Sequence, residues 1–162
     1  MIEREFKIRG LMMDPITNSP IVILQDVEKN TLLPIWVGIF EANAIALQVE
    51  RIDTPRPMTH DLIKNILLHM NADIEKVVVT ALKDNTFYAL IHLTLEGEEM
   101  TIDSRPSDAI ALALRADAPI FVTDDVISNS RNITLDKEKL DPDEVRKWLE
   151  NLSPEDLGKY KM

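Results

Sequence analysis

The stretch Ile102-Asp103-Ser104-Arg105-Pro106-Ser107-Asp108-Ala109-Ile110-Ala111-Leu112-Ala113-Leu114-Arg115 joins a crowded polar loop to an almost purely apolar run. Pro106 is tolerated in the first turn of a helix, where its missing N–H would have had no partner. Asp108 then falls in that first turn, where its charge suits the positive end of the helix dipole. No polar side chain occurs between Ala109 and Leu114, so this helix is expected to be buried on nearly every side. Asp103, Arg105, Ser107 and Asp108 are thereby held at the mouth of a sunken helix, either as a chemical site or as its anchor.

Outward from this stretch, strands are expected over residues 74–82, 86–95 and 100–103, turned at Lys83-Asp84-Asn85 and at Glu96-Gly97-Glu98. A second meander precedes it, over residues 5–13, 21–24 and 32–37, with the turn cluster Asp14-Pro15-Ile16-Thr17-Asn18-Ser19-Pro20 inside it. A helix over 41–50 follows that meander. After the loop Pro55-Arg56-Pro57, Thr59 reads as the N-cap of a helix over 61–70, with Ile63, Ile66, Leu67 and Met70 on one face. Residues 118–122 supply a last short strand. The tetrapeptides Ala44-Ile45-Ala46-Leu47 and Ala109-Ile110-Ala111-Leu112 are identical, and each follows three strands, which suggests an internal duplication. The expected class is α+β: two meander-plus-helix units, a mixed and largely antiparallel sheet, buried helices and a C-terminal helical appendage. The domain is expected over 1–127 and a helical tail over 128–162, where residues 141–152 place Val145, Trp148, Leu149 and Leu152 on one face.

With 162 residues the chain suits one domain. It has no cysteine, which excludes disulfides, thiolate nucleophiles and cysteine-based metal sites. The N-terminus lacks a signal-peptide layout, and no apolar run approaches the roughly 20 residues that span a bilayer. A cytoplasmic protein without a membrane partner is expected. The net charge of −10 counts against a passive nucleic-acid-binding module, which usually shows a basic face. It leaves room for an enzyme that meets phosphodiesters at a site built from carboxylates.

Only four glycines occur, and neither phosphate-loop nor dinucleotide fingerprints are present, so no nucleotide or organic cofactor is expected. The three histidines, His60, His69 and His92, do not form a zinc-binding pair. The chemistry that remains lies with carboxylates and arginines. Asp103, Asp108 and Glu41 have the oxygen ligands that magnesium or manganese prefers, and such a metal activates water against a phosphodiester. Arg56 and Arg105 suit a two-pronged phosphate contact, joined by the N–H groups of the Ser107-Asp108 turn. His60, beside Thr59 and Asp61, reads as a proton shuttle or a phosphate-facing donor. The alternative is a structural network in which these same groups pair with one another and His60 caps a helix. Thr86-Phe87-Tyr88 likewise reads as a pocket wall or as alternating strand packing.

Leu33-Pro34-Ile35-Trp36-Val37-Gly38 with Glu41-Ala42 and Ala44-Ile45-Ala46, then Pro55-Arg56-Pro57-Met58-Thr59-His60-Asp61-Leu62, Thr86-Phe87-Tyr88-Ala89 and the block 102–113 closely resemble the bifunctional nuclease domain family. Four separated blocks in order make the resemblance specific, and it runs from near residue 5 to about residue 127. It implies the family's fold and, through members credited with cleaving both DNA and RNA, a nuclease. A second hypothesis is a non-enzymatic oligomeric module that recognises an anionic ligand or a partner protein. Several short strands leave edges that pairing between subunits covers, so a homodimer is expected. One spatial expectation separates site from scaffold. Asp103, Arg105 and Asp108 should lie on the order of 10 Å from Arg56 and His60, in a concave site.

Overall fold

Runs of β-branched and leucine residues set the sheet. Ile21-Val22-Ile23-Leu24 and Leu32-Leu33 are buried on both faces of their strands, and Val77-Val78-Val79 are buried in the other half. The computed structural model describes residues 2–130 and 133–134. Within them the chain runs β1 (Glu3–Met13), β2 (Pro20–Asp26), β3 (Thr31–Trp36), α1 (Ile39–Val49), α2 (Thr59–His69), β4 (Ala72–Lys83), β5 (Thr86–Leu95) and β6 (Glu98–Ser104). It continues through α3 (Pro106–Ala116), β7 (Ile120–Thr123), α4 (Asp124–Asn129) and β8 (Ile133–Thr134). The strands form one sheet in the order β6-β5-β4-β7-β1-β2-β3-β8. Every pairing is antiparallel except β4 with β7.

The architecture is the expected α+β class with a mixed, largely antiparallel sheet. Two meanders, β1-β2-β3 and β4-β5-β6, are each followed by a helix, and β7 joins them in the middle. The shared order does not establish a duplication. The first helix buries only Ala42 and Ile45, whereas α3 buries eight of its eleven residues. The difference has a topological cause. The edge strand β6 and the central strand β7 are separated by β5 and β4, so α3 must carry the chain across those strands and packs against both. A helix covered by the sheet on one side and by α1 and α2 on the other has no solvent face left.

One local expectation is corrected, and two details are added. The second helix begins at Thr59 with Met58 as its N-cap, and the Asp61 carboxylate accepts the Met58 N–H at 2.9 Å. Capping is therefore done by the third helical residue reaching back, and Thr59 lies inside the helix. The stripe Ile63, Ile66, Leu67 and Met70 stays largely outside the core. Only Leu67 packs against the core, and α2 contains no buried residue. A further helix, α4, begins after Thr123, whose hydroxyl accepts the Val126 N–H. Phe87 is buried and Tyr88 exposed, so Thr86-Phe87-Tyr88 follows strand alternation. Of the segment 128–162, β8 pairs with β3; the helix expected over 141–152 lies outside the described residues.

The turn after β1 is organised by Asp14, which is only 1% exposed. Its carboxylate accepts the Ile16 N–H at 2.9 Å, the Thr17 hydroxyl at 2.8 Å and the Trp36 indole N–H at 3.0 Å. Burial pushes this carboxyl up, but the donors from Ile16, Trp36 and Thr17 outweigh burial and hold it below its ordinary value of 3.8. A carboxyl lowered by folding contributes stability that is full above the unfolded value and is lost as pH falls beneath it. Asp14→Ala is expected to cost about 2–3 kcal/mol at neutral pH, measured by urea unfolding with tryptophan fluorescence. The gap between variant and parent should narrow below pH 3.8; a gap independent of pH would refute the assignment.

Candidate functional site

Three helices begin at one place. The first turns of α1, α2 and α3 contain Glu41, His60 and Asp108 respectively, and hydrogen bonds tie them together. Arg105, the N-cap residue of α3, has extended backbone, as a residue before proline prefers. Its Nε donates to Asp108 Oδ2 and its Nη1 to Glu41 Oε1, both at 2.9 Å. The other Asp108 oxygen, Oδ1, lies 2.9 Å from His60 Nε2. Asp108 thus holds an imidazole on one side and a guanidinium on the other. Burial pushes its carboxyl up, but the bonds from Arg105 and His60 outweigh burial and keep it ionised below the usual carboxylate range. The positive ends of three helix dipoles meet here, a setting that favours anions.

Glu41 is placed by its neighbour. A Cβ on Gly38, the N-cap of α1, would collide with the Glu41 carboxylate. The glycine is therefore what lets Glu41 fold back over the start of its own helix toward Arg105.

The network forms the polar end of a cavity of about 680 Å³. Thr59, Ser104 and Asn43 also line it, and the remaining wall is apolar, with Phe40, Met58, Ile63, Ile91 and Ile102 prominent. Asp103 borders the cavity from β6, but its position is not that of its neighbours. Ile102 and Ser104 pair in register with Ile91 and Ala89 on the helix side, while Asp103 pairs with Leu90. Strand alternation gives it a different register position from Ile102 and Ser104, although all three line the cavity.

Of the groups expected together, Asp103, Arg105, Asp108 and His60 all line this cavity, with Glu41 beside them. Arg56 lines a separate cavity of about 300 Å³ with Asp61 and Arg115. Ser107 is 1% exposed, its hydroxyl is buried with no hydrogen-bond partner among the described residues, and it does not line the larger cavity. Asp61 is committed to scaffolding through Met58 and Arg115. The expected magnesium or manganese ligands Glu41, Asp103 and Asp108 all line the larger cavity. Arg105 bridges Glu41 and Asp108, and no group of three His, Cys, Asp or Glu side chains among the described residues is already clustered as a metal site. The cation already between the carboxylates is a guanidinium.

Residues 22–134 match the family model described as the bifunctional nuclease domain. The chain belongs to the bifunctional nuclease domain family. Among its relatives is an uncharacterized protein of Mycobacterium tuberculosis, 32% identical over 162 residues, covering 94% of this chain and 97% of that protein. Bifunctional nuclease 1 of Oryza sativa subsp. indica is 26% identical over 122 residues, covering 74% of this chain and 37% of the plant protein. Bifunctional nuclease 2 of Arabidopsis thaliana is 28% identical over 108 residues, 65% of this chain and 33% of its own length. Family membership places Glu41, His60, Arg105 and Asp108 inside the matched span.

Sequence reasoning missed Arg115, which ends the apolar run as if at a helix exit. It is only 6% exposed. Its Nε donates to Asp61 Oδ1 at 2.7 Å, its Nη1 to the Ala111 carbonyl at 2.8 Å and its Nη2 to the Ala44 carbonyl at 3.0 Å. One guanidinium thereby clamps α1 and α2 onto α3. The available signal was an arginine directly after a wholly apolar stretch, with no solvent face to point at. Arg115→Met leaves the Asp61 carboxylate and two carbonyls without this donor. It is expected to destabilise by about 3–5 kcal/mol, read as a lowered urea midpoint; a midpoint within error of the parent would show that the clamp is dispensable.

Proposed function

We propose that the chain hydrolyses phosphodiester bonds in DNA and RNA at the Arg105–Asp108–His60 cluster. The observation that carries the reading is the meeting of three helix N-termini around an arginine and a carboxylate-bound imidazole. The phosphate is held by Arg105, half exposed at the mouth of the cavity, which exchanges the Glu41 carboxylate for a phosphate oxygen in a charge-assisted contact. Asp108 positions the His60 ring through Nε2, and Nδ1 makes no hydrogen bond among the described residues. With the ring proton on Nε2 toward Asp108, Nδ1 is the base. It takes the proton from the attacking water as the new oxygen–phosphorus bond forms, and the departing oxygen takes a proton from solvent water as its own bond to phosphorus breaks. A magnesium or manganese ion, if bound, would be held by oxygens of Glu41, Asp103 and Asp108 and would supply a Lewis acid for the phosphodiester.

A second reading is favoured by α2. Leu62, Ile63, Ile66, Leu68 and Met70 are all exposed on a helix that buries nothing, and we infer that a second copy of the chain covers the Leu62–Ile66–Met70 stripe in a homodimer.

Cleavage of DNA and RNA by highly purified protein is assayed with and without EDTA, and loss of cleavage on chelation is the outcome a bound magnesium or manganese gives. Cleavage should fall on the order of a hundredfold or more in His60→Ala and Arg105→Ala. Equal cleavage by every folded variant would identify a contaminating nuclease and remove the site. For the second reading, sedimentation at micromolar concentration should give a dimer that Ile66→Asp converts to monomer. A monomeric parent chain would refute it.

A further inference from the structure

The cavity is larger than its polar end requires. At about 680 Å³ it falls in the range that accepts a whole small organic molecule, and its chemistry is divided. Arg105, Asp108, His60 and Glu41 occupy one end. Met58, Ile63, Ile91 and Ile102 form walls with no charge, and Phe40, 85% exposed, stands at the rim. A nucleotide has the same division: an anionic phosphate joined to a flat base with apolar faces. We infer that the cavity takes an unpaired nucleobase against its apolar walls, with Phe40 stacking on it, while Arg105 holds the adjoining phosphate. The substrate class is then single-stranded nucleic acid. The inference rests on the nuclease reading above and narrows it.

Two observations favour a base over a duplex backbone as the recognised element. A chain of net charge −10 has no general attraction for a polyanion, so affinity must come from short-range contacts, of which stacking is the one that any base supplies. The apolar walls also reach only what enters the cavity, and a paired base must first leave its stack, at a cost of a few kcal/mol. The half-exposed side chains Met58 and Ile102, with the almost fully exposed Phe40, are the surface such a base would cover.

The test uses the full chain and one oligonucleotide in three forms: single strand, blunt duplex, and single strand with abasic residues. Binding and cleavage should favour the intact single strand over the duplex by roughly tenfold or more. Abasic residues should weaken binding by roughly tenfold. Phe40→Ser removes no buried contact, and it should weaken the intact strand to a similar extent while leaving the abasic strand unchanged. A 2-aminopurine base in the intact strand should change its fluorescence on binding to the parent and less so with Phe40→Ser. Equal handling of single strand and duplex, or of intact and abasic strands, would overturn the inference and leave the nuclease reading standing. A Phe40→Ser variant that changes oligomeric state without changing the base dependence would overturn it too, assigning the rim to a protein contact. Absence of binding and cleavage for every form would remove both readings together.

Discussion

The obligatory crossing of α3 beneath the sheet is the constraint from which the site follows. A chain that leaves the edge strand β6 and re-enters the sheet at β7 has to bury the connecting helix against β5 and β4. Burial removes polar side chains from the middle of α3 and concentrates them at its ends, where Arg105 and Asp108 stand at one and Arg115 at the other. Both ends are joined to α2, through His60–Asp108 and Asp61–Arg115. Since α2 buries no residue of its own, these two polar links and Leu67 hold much of it in place. A helix secured this way opens locally at lower cost than one secured by a core face. The residue that moves with it is His60, so the imidazole is carried by the least buried helix in the layer.

The charge of the chain and the charge of the site pull in opposite directions. Formal charge is strongly negative, yet three helix N-termini point positive dipole ends at one spot. The first turns answer with Glu41, Asp61 and Asp108. Arg105 then settles the balance, because its guanidinium bonds two of those carboxylates while half of it stays in solvent. Its two ion pairs differ in what breaking them costs. The link to Asp108 lies within one helical turn and survives small motions of α1, whereas the link to Glu41 joins different helices. An incoming anion therefore displaces Glu41 more easily than Asp108. Exposed ion pairs of this kind are individually weak, which suits a contact that has to be exchanged.

The sheet and the sunken helix were legible in the sequence because both rest on composition. Ile21-Val22-Ile23-Leu24 and Val77-Val78-Val79 admit few alternatives to buried strands, and Ala109–Leu114 has no polar face to offer. The pairing of Arg105 with Asp108, three residues apart, follows from helix geometry alone. What was not legible depends on which elements meet. His60 and Asp108 are 48 positions apart and Arg105 and Glu41 are 64 apart, so their contact is a property of packing three helix starts together. Asp103 shows the converse. Its closeness in sequence to Arg105 and Asp108 suggests a shared site, but the strand ends only after Ser104. While the chain is still a strand, neighbouring side chains point to opposite faces, and only after it turns into α3 do residues at three- and four-residue spacing share one. The boundary between those two periodicities falls between Asp103 and Arg105, so Asp103 borders the cavity from a strand and Asp108 from a helix.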